Sequence, residues 1–359
     1  MKICFCYRYL ILGGVTTQIA NRLKYLAGRA EVAALYLEDF GGAGAIDSPC
    51  DIRVIRDARA QQRFFAERRF DLVSVIDTPM IYGPLLDSGY AGPVVNEVHT
   101  TTKNLSYLDA LRRDKRSLAA IRALVAPSRY LARRIESEFG FAGLKPVRVA
   151  PNCLDTRAFA PDRAPPFPER PVILWVGKLD EHKRYTDFLE IAARLARAGT
   201  HCEFWIAGGQ TAKHERAMEM YHALDRLDIA GRTRWLCQVD YAHMPRLYAL
   251  AAGSGGCLVI TSSDESFGMT AAEAMACGLP VVATRVGALP ELIQEDETGF
   301  LYDLGDVAGA AHKVKAVLAD AGLRQRTSQA ARARVERICS IEAAGAAYFD
   351  AIRIAIENG

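Results

Sequence analysis

Short runs of apolar and β-branched residues recur along this chain, each followed by an amphipathic stretch, and this alternation constrains the fold more than any other feature. Lys2–Tyr7, Val32–Leu37, Asp51–Arg56, Leu72–Ile76, Val94–His99, Leu124–Ser128 and Val147–Pro151 read as strands. Several are apolar throughout or broken by a single polar residue, as expected of strands when helices cover both faces of a parallel sheet. The pattern then stops: residues 160–171, APDRAPPFPERP, place five prolines in twelve positions, a density that neither helix nor strand tolerates. Beyond it the alternation resumes with Val172–Val176, Glu203–Ala207, Thr233–Val239, Cys257–Thr261 and Pro280–Ala283. The sequence therefore predicts an α/β protein with two doubly wound parallel-sheet domains, at 1–162 and 172–339, joined by a linker at 163–171. A closing helical stretch, 340–359, follows, and its pattern leaves open whether it packs on the second domain or crosses back to the first. Such sheets bind ligands outside the carboxyl ends of their strands, so a central cleft faced by both domains is the expected site.

Composition narrows the class. With 359 residues, 50% hydrophobic and 24% charged, the chain can fill two cores, and its ordinary glycine and proline content excludes collagen and long disordered tails. The longest uncharged run, Leu247–Ser263, is broken by Gly253, Gly255 and Gly256, so no membrane span is expected. The apolar run Ile3–Tyr7 is cut by Arg8, too short for a signal-peptide core, and the expected location is the cytoplasm. Nine cysteines without a CxxC pair read as reduced thiols rather than disulfides or a metal site.

The net charge of +3 hides an asymmetry: residues 1–165 carry 24 basic and 17 acidic side chains, and residues 101–150 alone carry 11 against 4. Within YLDALRRDKRSLAAIRALV, a helical spacing sets Leu108, Leu111, Leu118 and Ile121 among Arg112, Arg113, Lys115 and Arg116. A solvated face is one reading; a surface for anionic lipid at the inner side of a membrane, or for a phosphorylated acceptor, is the other. Nucleic acid is not an expected partner.

The most informative segment is 264–293, DESFGMTAAEAMACGLPVVATRVGALPELI. After an apolar strand and a polar loop, Gly268 opens a helix of good helix formers that runs through Cys277 and stops at Gly278. A helix N-terminus at a strand end offers N–H groups and a positive dipole end to a phosphate. Glu265 before the helix and Glu273 within it can serve as carboxylate acceptors for sugar hydroxyls, although an isolated pair at this spacing is more often a cap and a solvated face.

This segment resembles the ExFGxxxxEAMAxGxPVVAxxxGxxxE signature of retaining glycosyltransferases of family 4, which have the GT-B fold of two Rossmann-like domains. The similarity extends to Gly13 and Gly14 after the first strand, His99 after the fifth, PNCLDTRAF at 151–159, GKLDEHK at 177–183 and WIAGG at 205–209. The resemblance implies that Lys178 and Lys183 hold the donor diphosphate, with Gly177 at the start of their loop. It implies that Glu273 binds the ribose hydroxyls and Glu265 the donor sugar, with Ser266, Phe267, Gly268, Met269 and Thr270 lining the sugar and phosphates. His99 would contact the donor sugar near the reacting carbon, and Gly13 and Gly14 would let backbone approach phosphate or acceptor. The nucleobase would lie near Gly208 and the turn carrying Gln238 and Val239. The chain departs from the family pattern at Lys178 (usually Arg), Ser266 (usually Gly), Cys237 and Cys153 (both usually Gly).

No Asp-x-Asp occurs in the chain. Two lysines and a helix end can carry the charge of a departing diphosphate, so no metal and no cofactor is expected. The expected activity is transfer of a hexose or N-acetylhexosamine from a nucleotide-diphosphate sugar, a UDP-sugar first and GDP-mannose second. The acceptor is a hydroxyl of a sugar or lipid-linked saccharide, in cell-envelope polysaccharide or glycoconjugate synthesis. An oxidoreductase is disfavoured because the turn at Gly13 lacks GxGxxG. The alternative from another class is a non-catalytic GT-B subunit that binds a nucleotide sugar or a partner; such chains lose the charged positions that are intact here.

Overall fold

The computed structural model describes residues 1–11, 13–100, 105–162, 164, 166–210 and 212–357. The chain forms two units, one of residues 1–155 with 339–359 and the other of residues 156–338.

The first unit holds a seven-stranded sheet of β1 (Lys2–Leu10), β2 (Glu31–Asp39), β3 (Asp51–Val54), β4 (Leu72–Ile76), β5 (Val94–Glu97), β6 (Ile121–Ala126) and β7 (Val147–Val149). Their order is β3-β2-β1-β4-β5-β6-β7, every pair is parallel, and Ile3 pairs with Val32 on one side and Leu72 on the other. Side chains alternate between faces with a period of two. Cys4, Cys6, Val73 and Val75 thus enter one core, while Ile3, Phe5 and Leu72 enter the core on the opposite face.

The second unit repeats the plan with β8 (Val172–Val176), β9 (Glu203–Ala207), β10 (Thr233–Leu236), β11 (Cys257–Ile260), β12 (Val281–Thr284) and β13 (Phe300–Tyr302), ordered β10-β9-β8-β11-β12-β13 and also parallel. Each sheet reverses its winding at its first strand, so the carboxyl ends of β1 and β8 lie at the switch points where doubly wound sheets bind ligands. The two sheets are the architecture that the strand alternation predicts.

Several details differ from the sequence reading, and the place of the closing helix, which that reading left open, is given by the structure. The division falls between Asp155 and Thr156, ahead of the prolines, because residues of that stretch pack on the second unit. Arg246 pairs with Asp162 at 2.6 Å and lies over the Phe167 ring. The closing helix, Ile341–Glu357, packs on the first unit, with Tyr348 and Ile352 in the same core as Ile19 and Leu23. The basic segment forms two short helices, Tyr107–Arg113 and Lys115–Ala120, because Asp114 caps the second and interrupts the first. Ile121, read as helical, opens β6. Leu108 and Leu111 are buried, while Arg112, Arg113 and Lys115 are exposed. Residues 101–104 of that basic segment lie outside the described residues. β10 ends at Leu236 rather than Val239, and β13 was not predicted, three residues being too few to show a period. None of the nine cysteines forms a disulfide, and among the described residues no helix is long and apolar enough to cross a membrane.

Candidate functional site

In the second unit the chain leaves β8 through Gly177, whose N–H donates to Ala207 O at 3.0 Å, while Gly208 N–H donates to Leu236 O at 2.9 Å. These bonds stitch the ends of β8, β9 and β10 together. Gly208 has φ +110°, and a Cβ there would collide with the Gly177 carbonyl oxygen, so only glycine lets the two loops pass this closely. Lys178 is exposed, and its ammonium makes no hydrogen bond or ion pair among the described residues. Farther along, the Lys183 N–H donates to Asp180 Oδ1 at 2.8 Å, and Arg184 takes a left-handed φ of +48° to open the helix Tyr185–Arg197.

The loop after β8 is bound to the loop after β11. Thr261 Oγ1 donates to Lys183 O at 2.7 Å, and Ser263 N–H donates to His182 O at 2.8 Å. The side chains follow: Lys183 Nζ lies 2.5 Å from Glu265 Oε1, which also accepts from Ser262 Oγ at 2.7 Å. Burial alone would raise the Glu265 carboxyl, but the Lys183 ammonium and the bonds from Lys183 and Ser262 hold it below the ordinary carboxylate range. Gly287 packs its backbone against Glu265, and Ala288 N–H donates to Glu265 O at 2.8 Å, fixing the main chain here.

Three residues on, Gly268 adopts φ +95° as the N-cap of the helix Met269–Ala276. Phe267 and Gly268 are buried, and Ser266, Met269 and Thr270 are half-buried, around the positive end of that helix. Glu273, on its second turn, is only 7% exposed. Tyr241 Oη donates to its Oε1 at 3.1 Å and Tyr248 Oη to its Oε2 at 2.9 Å, while the Phe159 ring packs on both tyrosines. No cation pairs with it among the described residues, and burial pushes its carboxyl up to about 7 in spite of the two hydroxyls. Each oxygen has spent one acceptor direction on a tyrosine and retains another, which suits a pair of vicinal hydroxyls. Gln238 is exposed and Val239 half-buried, both in the loop beyond β10.

In the first unit, Gly13 is the extended N-cap of the helix Gly14–Leu26, and nothing lies within 4 Å of a Cβ at either glycine. The loop beyond β7 is held against that helix by Gln18 and Asn21, whose amides donate to Cys153 O at 2.8 and 2.9 Å. His99 follows the end of β5, its ring nearly buried and its Nε2 2.9 Å from Glu97 Oε2. The His99 and Thr100 N–H groups both donate to Asp77 Oδ2, at 3.1 and 3.0 Å. Asp77 itself sits at φ +44°, a strained conformation for this residue at the end of β4.

The structure thus joins Lys183 to Glu265 directly and sets Glu273 on the helix that follows, but leaves Lys178 reaching into solvent. Tyr241, Tyr248, Ser262, Asp77 and Glu97 were missed by the sequence reading. Partners distant in the chain, such as Tyr241 and Tyr248 for Glu273 and Asp77 for the His99 N–H, carry no local motif, although a tyrosine in the apolar helix Met244–Gly253 needs a partner for its hydroxyl and was a usable signal.

Two family models match the chain: glycosyl transferases group 1 over residues 157–334 and glycosyltransferase family 4 over residues 12–158. A sucrose synthase of Nitrosomonas europaea is 32% identical over 153 residues, 40% of this chain and 19% of that protein. A D-inositol 3-phosphate glycosyltransferase of Mycobacterium sp. is 34% identical over 152 residues, 42% of this chain and 33% of that protein. The alignments thus cover only a fifth to a third of these relatives' own length. Among solved structures, Anabaena Alr3699/HepE in complex with UDP and glucose superposes with a TM-score of 0.83 over 99% of this chain and all of that one, at 17% identity, a likeness of fold. Motifs, two doubly wound sheets and two family models spanning 12–334 agree: the chain belongs to the group 1 glycosyltransferases of family 4 and has the GT-B fold.

Proposed function

We propose that the protein transfers a hexose or N-acetylhexosamine from a UDP-sugar to a hydroxyl acceptor with retention of anomeric configuration and without a metal. The observation that carries this reading is the Lys183–Glu265 pair, 2.5 Å apart, which joins the loop after β8 to the loop that leads to the helix bearing Glu273. Lys183, Lys178 and the N-terminus of that helix would stabilise the departing diphosphate, with Gly177 and Gly208 giving close backbone approach. Glu265 would accept hydrogen bonds from the sugar, and Glu273 would accept both ribose hydroxyls. In the first unit, His99 would meet the donor sugar and Gly13 and Gly14 the acceptor side. The C1–O bond to the diphosphate breaks as a C1–O bond to the acceptor forms on the same face, and the acceptor proton passes to the departing phosphate oxygen. UDP is favoured because a solved structure of the same fold is named as a complex with UDP and glucose. Exposed Arg112, Arg113 and Lys115 would serve an anionic acceptor or membrane surface, and salt-sensitive co-sedimentation with anionic liposomes reads this.

Thermal unfolding with UDP, GDP, dTDP, ADP and CMP, with and without chelator, tests the donor site. UDP at about 100 Kd should add roughly 2.7 kcal/mol, unchanged by chelator and absent in Glu273→Ala. No response to any nucleotide refutes the reading, and an inverted anomer in the product refutes its stereochemistry.

A further inference from the structure

Behind His99 lies a buried polar cluster that the transfer reaction as proposed does not use. Glu97, the last residue of β5, is fully buried and has four side-chain partners. Ser74 Oγ and Tyr348 Oη donate to its Oε1 at 2.6 and 2.7 Å, while Arg22 Nη1 and His99 Nε2 meet its Oε2, the latter at 2.9 Å. Arg22 is also buried and lies over the Tyr348 ring, its Cζ 3.8 Å from the centroid. Four separate elements converge here: β4, β5, the helix Gly14–Leu26 and the closing helix Ile341–Glu357. Burial would raise the Glu97 carboxyl, but Arg22 above all, then His99 and Ser74, bring it well below the ordinary carboxylate range.

An ionised carboxylate has only acceptor sites, so the ring nitrogen facing it must carry a proton. We infer that Glu97 is a positioning residue for His99: held as a carboxylate by Arg22, it takes the Nε2 hydrogen of the ring and makes neutral His99 present a lone pair at Nδ1. Whatever meets Nδ1 must then donate a hydrogen bond. The inference rests on the placing of His99 at the donor sugar proposed above; the tautomer does not.

The test is long-range 1H–15N correlation on 15N-histidine-labelled full-length protein, on the alkaline side of the imidazole titration. The His99 signals are identified by their loss in His99→Gln. The expected result is a single Nε2–H tautomer in about tenfold excess or more, the ratio that a hydrogen bond to a charged group sustains. That excess should collapse in Glu97→Gln and in the double variant Arg22→Met/Glu97→Met, which removes the ion pair without leaving a buried charge. A Nδ1–H ring in the wild type, or an unchanged Nε2–H excess in either folded variant, overturns the inference. If neither variant folds, the wild-type spectrum decides alone. In transfer assays, Glu97→Gln should lower kcat about tenfold with little change in KM and add nothing in a His99→Ala background. A wild type that transfers no sugar but shows the Nε2–H ring refutes the proposed function and leaves the positioning intact.

Discussion

Replacing Glu273 with glutamine should stabilise the protein at alkaline pH and leave its stability nearly unchanged in mild acid. Folding raises this carboxyl from its ordinary value of 4.5 to about 7, because burial removes water and only two tyrosine hydroxyls replace it. Between those values the folded chain keeps a proton that the unfolded chain has lost, so folding takes up a proton there. The sign follows: the group's contribution is complete below pH 4.5 and is lost as pH rises through 7. Above 7 the fold carries an ionised Glu273 with no cation beside it among the described residues, at a cost of about 3 kcal/mol, taking roughly 1.4 kcal/mol per pKa unit. Glutamine keeps the shape, accepts from one tyrosine, donates to the other and never ionises. Calorimetric melting of both proteins at pH 5 and 8.5 should show similar midpoints at pH 5 and a variant about 6–12 °C more stable at pH 8.5, for a unit of this size. Equal differences at both pH values would show that the carboxyl is not raised and that two tyrosines suffice to solvate it.

The same ionisation should appear in binding. UDP affinity should fall about tenfold per pH unit below 7 with Glu273 present and stay flatter in Glu273→Gln, as titration calorimetry can read; parallel slopes would remove the ribose role. Tyr248→Phe deletes one of the two donors to Glu273, so UDP should bind several-fold more weakly at pH 7 and recover most of the loss at pH 8.5. Lys183→Ala leaves the Glu265 carboxylate without its cation and should cost about 2 kcal/mol in urea unfolding, less than a fully buried pair because Lys183 is partly exposed, and should abolish UDP stabilisation. Gly208→Ala forces a Cβ into the Gly177 carbonyl at φ +110° and should cost about 2 kcal/mol or more in the same assay; a neutral result would mean that the two loops are not held this close.

The parts legible in the sequence were those whose physics is local. Fully apolar runs such as Val172–Val176 revealed a two-faced parallel sheet, and Gly268 and Gly278 marked both ends of a helix without help from the rest of the chain. The division between units was not legible, because prolines report backbone stiffness and not which surface a segment lies on. Arg246, far along the chain, decides that by holding Asp162 and covering Phe167. The closing helix was ambiguous for the same reason: its apolar face fits any core, and its attachment to the first unit depends on Glu97 as a partner for Tyr348. Lys183 and Glu265 could be named from their motifs, but their direct pairing could not, since it depends on Thr261 and Ser263 bonding the two loops across the sheet.

Three glutamates, Glu97 and Glu273 buried and Glu265 half-buried, now separate by partner alone. Glu97 has Arg22 and Glu265 has Lys183, and each is held ionised against the cost of burial. Glu273 has two hydroxyls and no cation among the described residues, and it alone moves upward. A buried charge with a fixed counter-ion gains little when a neutral ligand arrives, because its field is already compensated. A buried carboxyl left short of donors gains from any ligand that brings two more. With Glu273 at the ribose and Glu265 and His99 at the sugar, as proposed above, the ribose end would contribute the larger share of nucleotide affinity, while Glu265 and His99, held by Lys183 and Glu97, would contribute geometry. Full-length UDP-sugar should therefore bind little more tightly than UDP itself. A donor that binds a hundredfold more tightly than UDP would place the uncompensated group at the sugar instead.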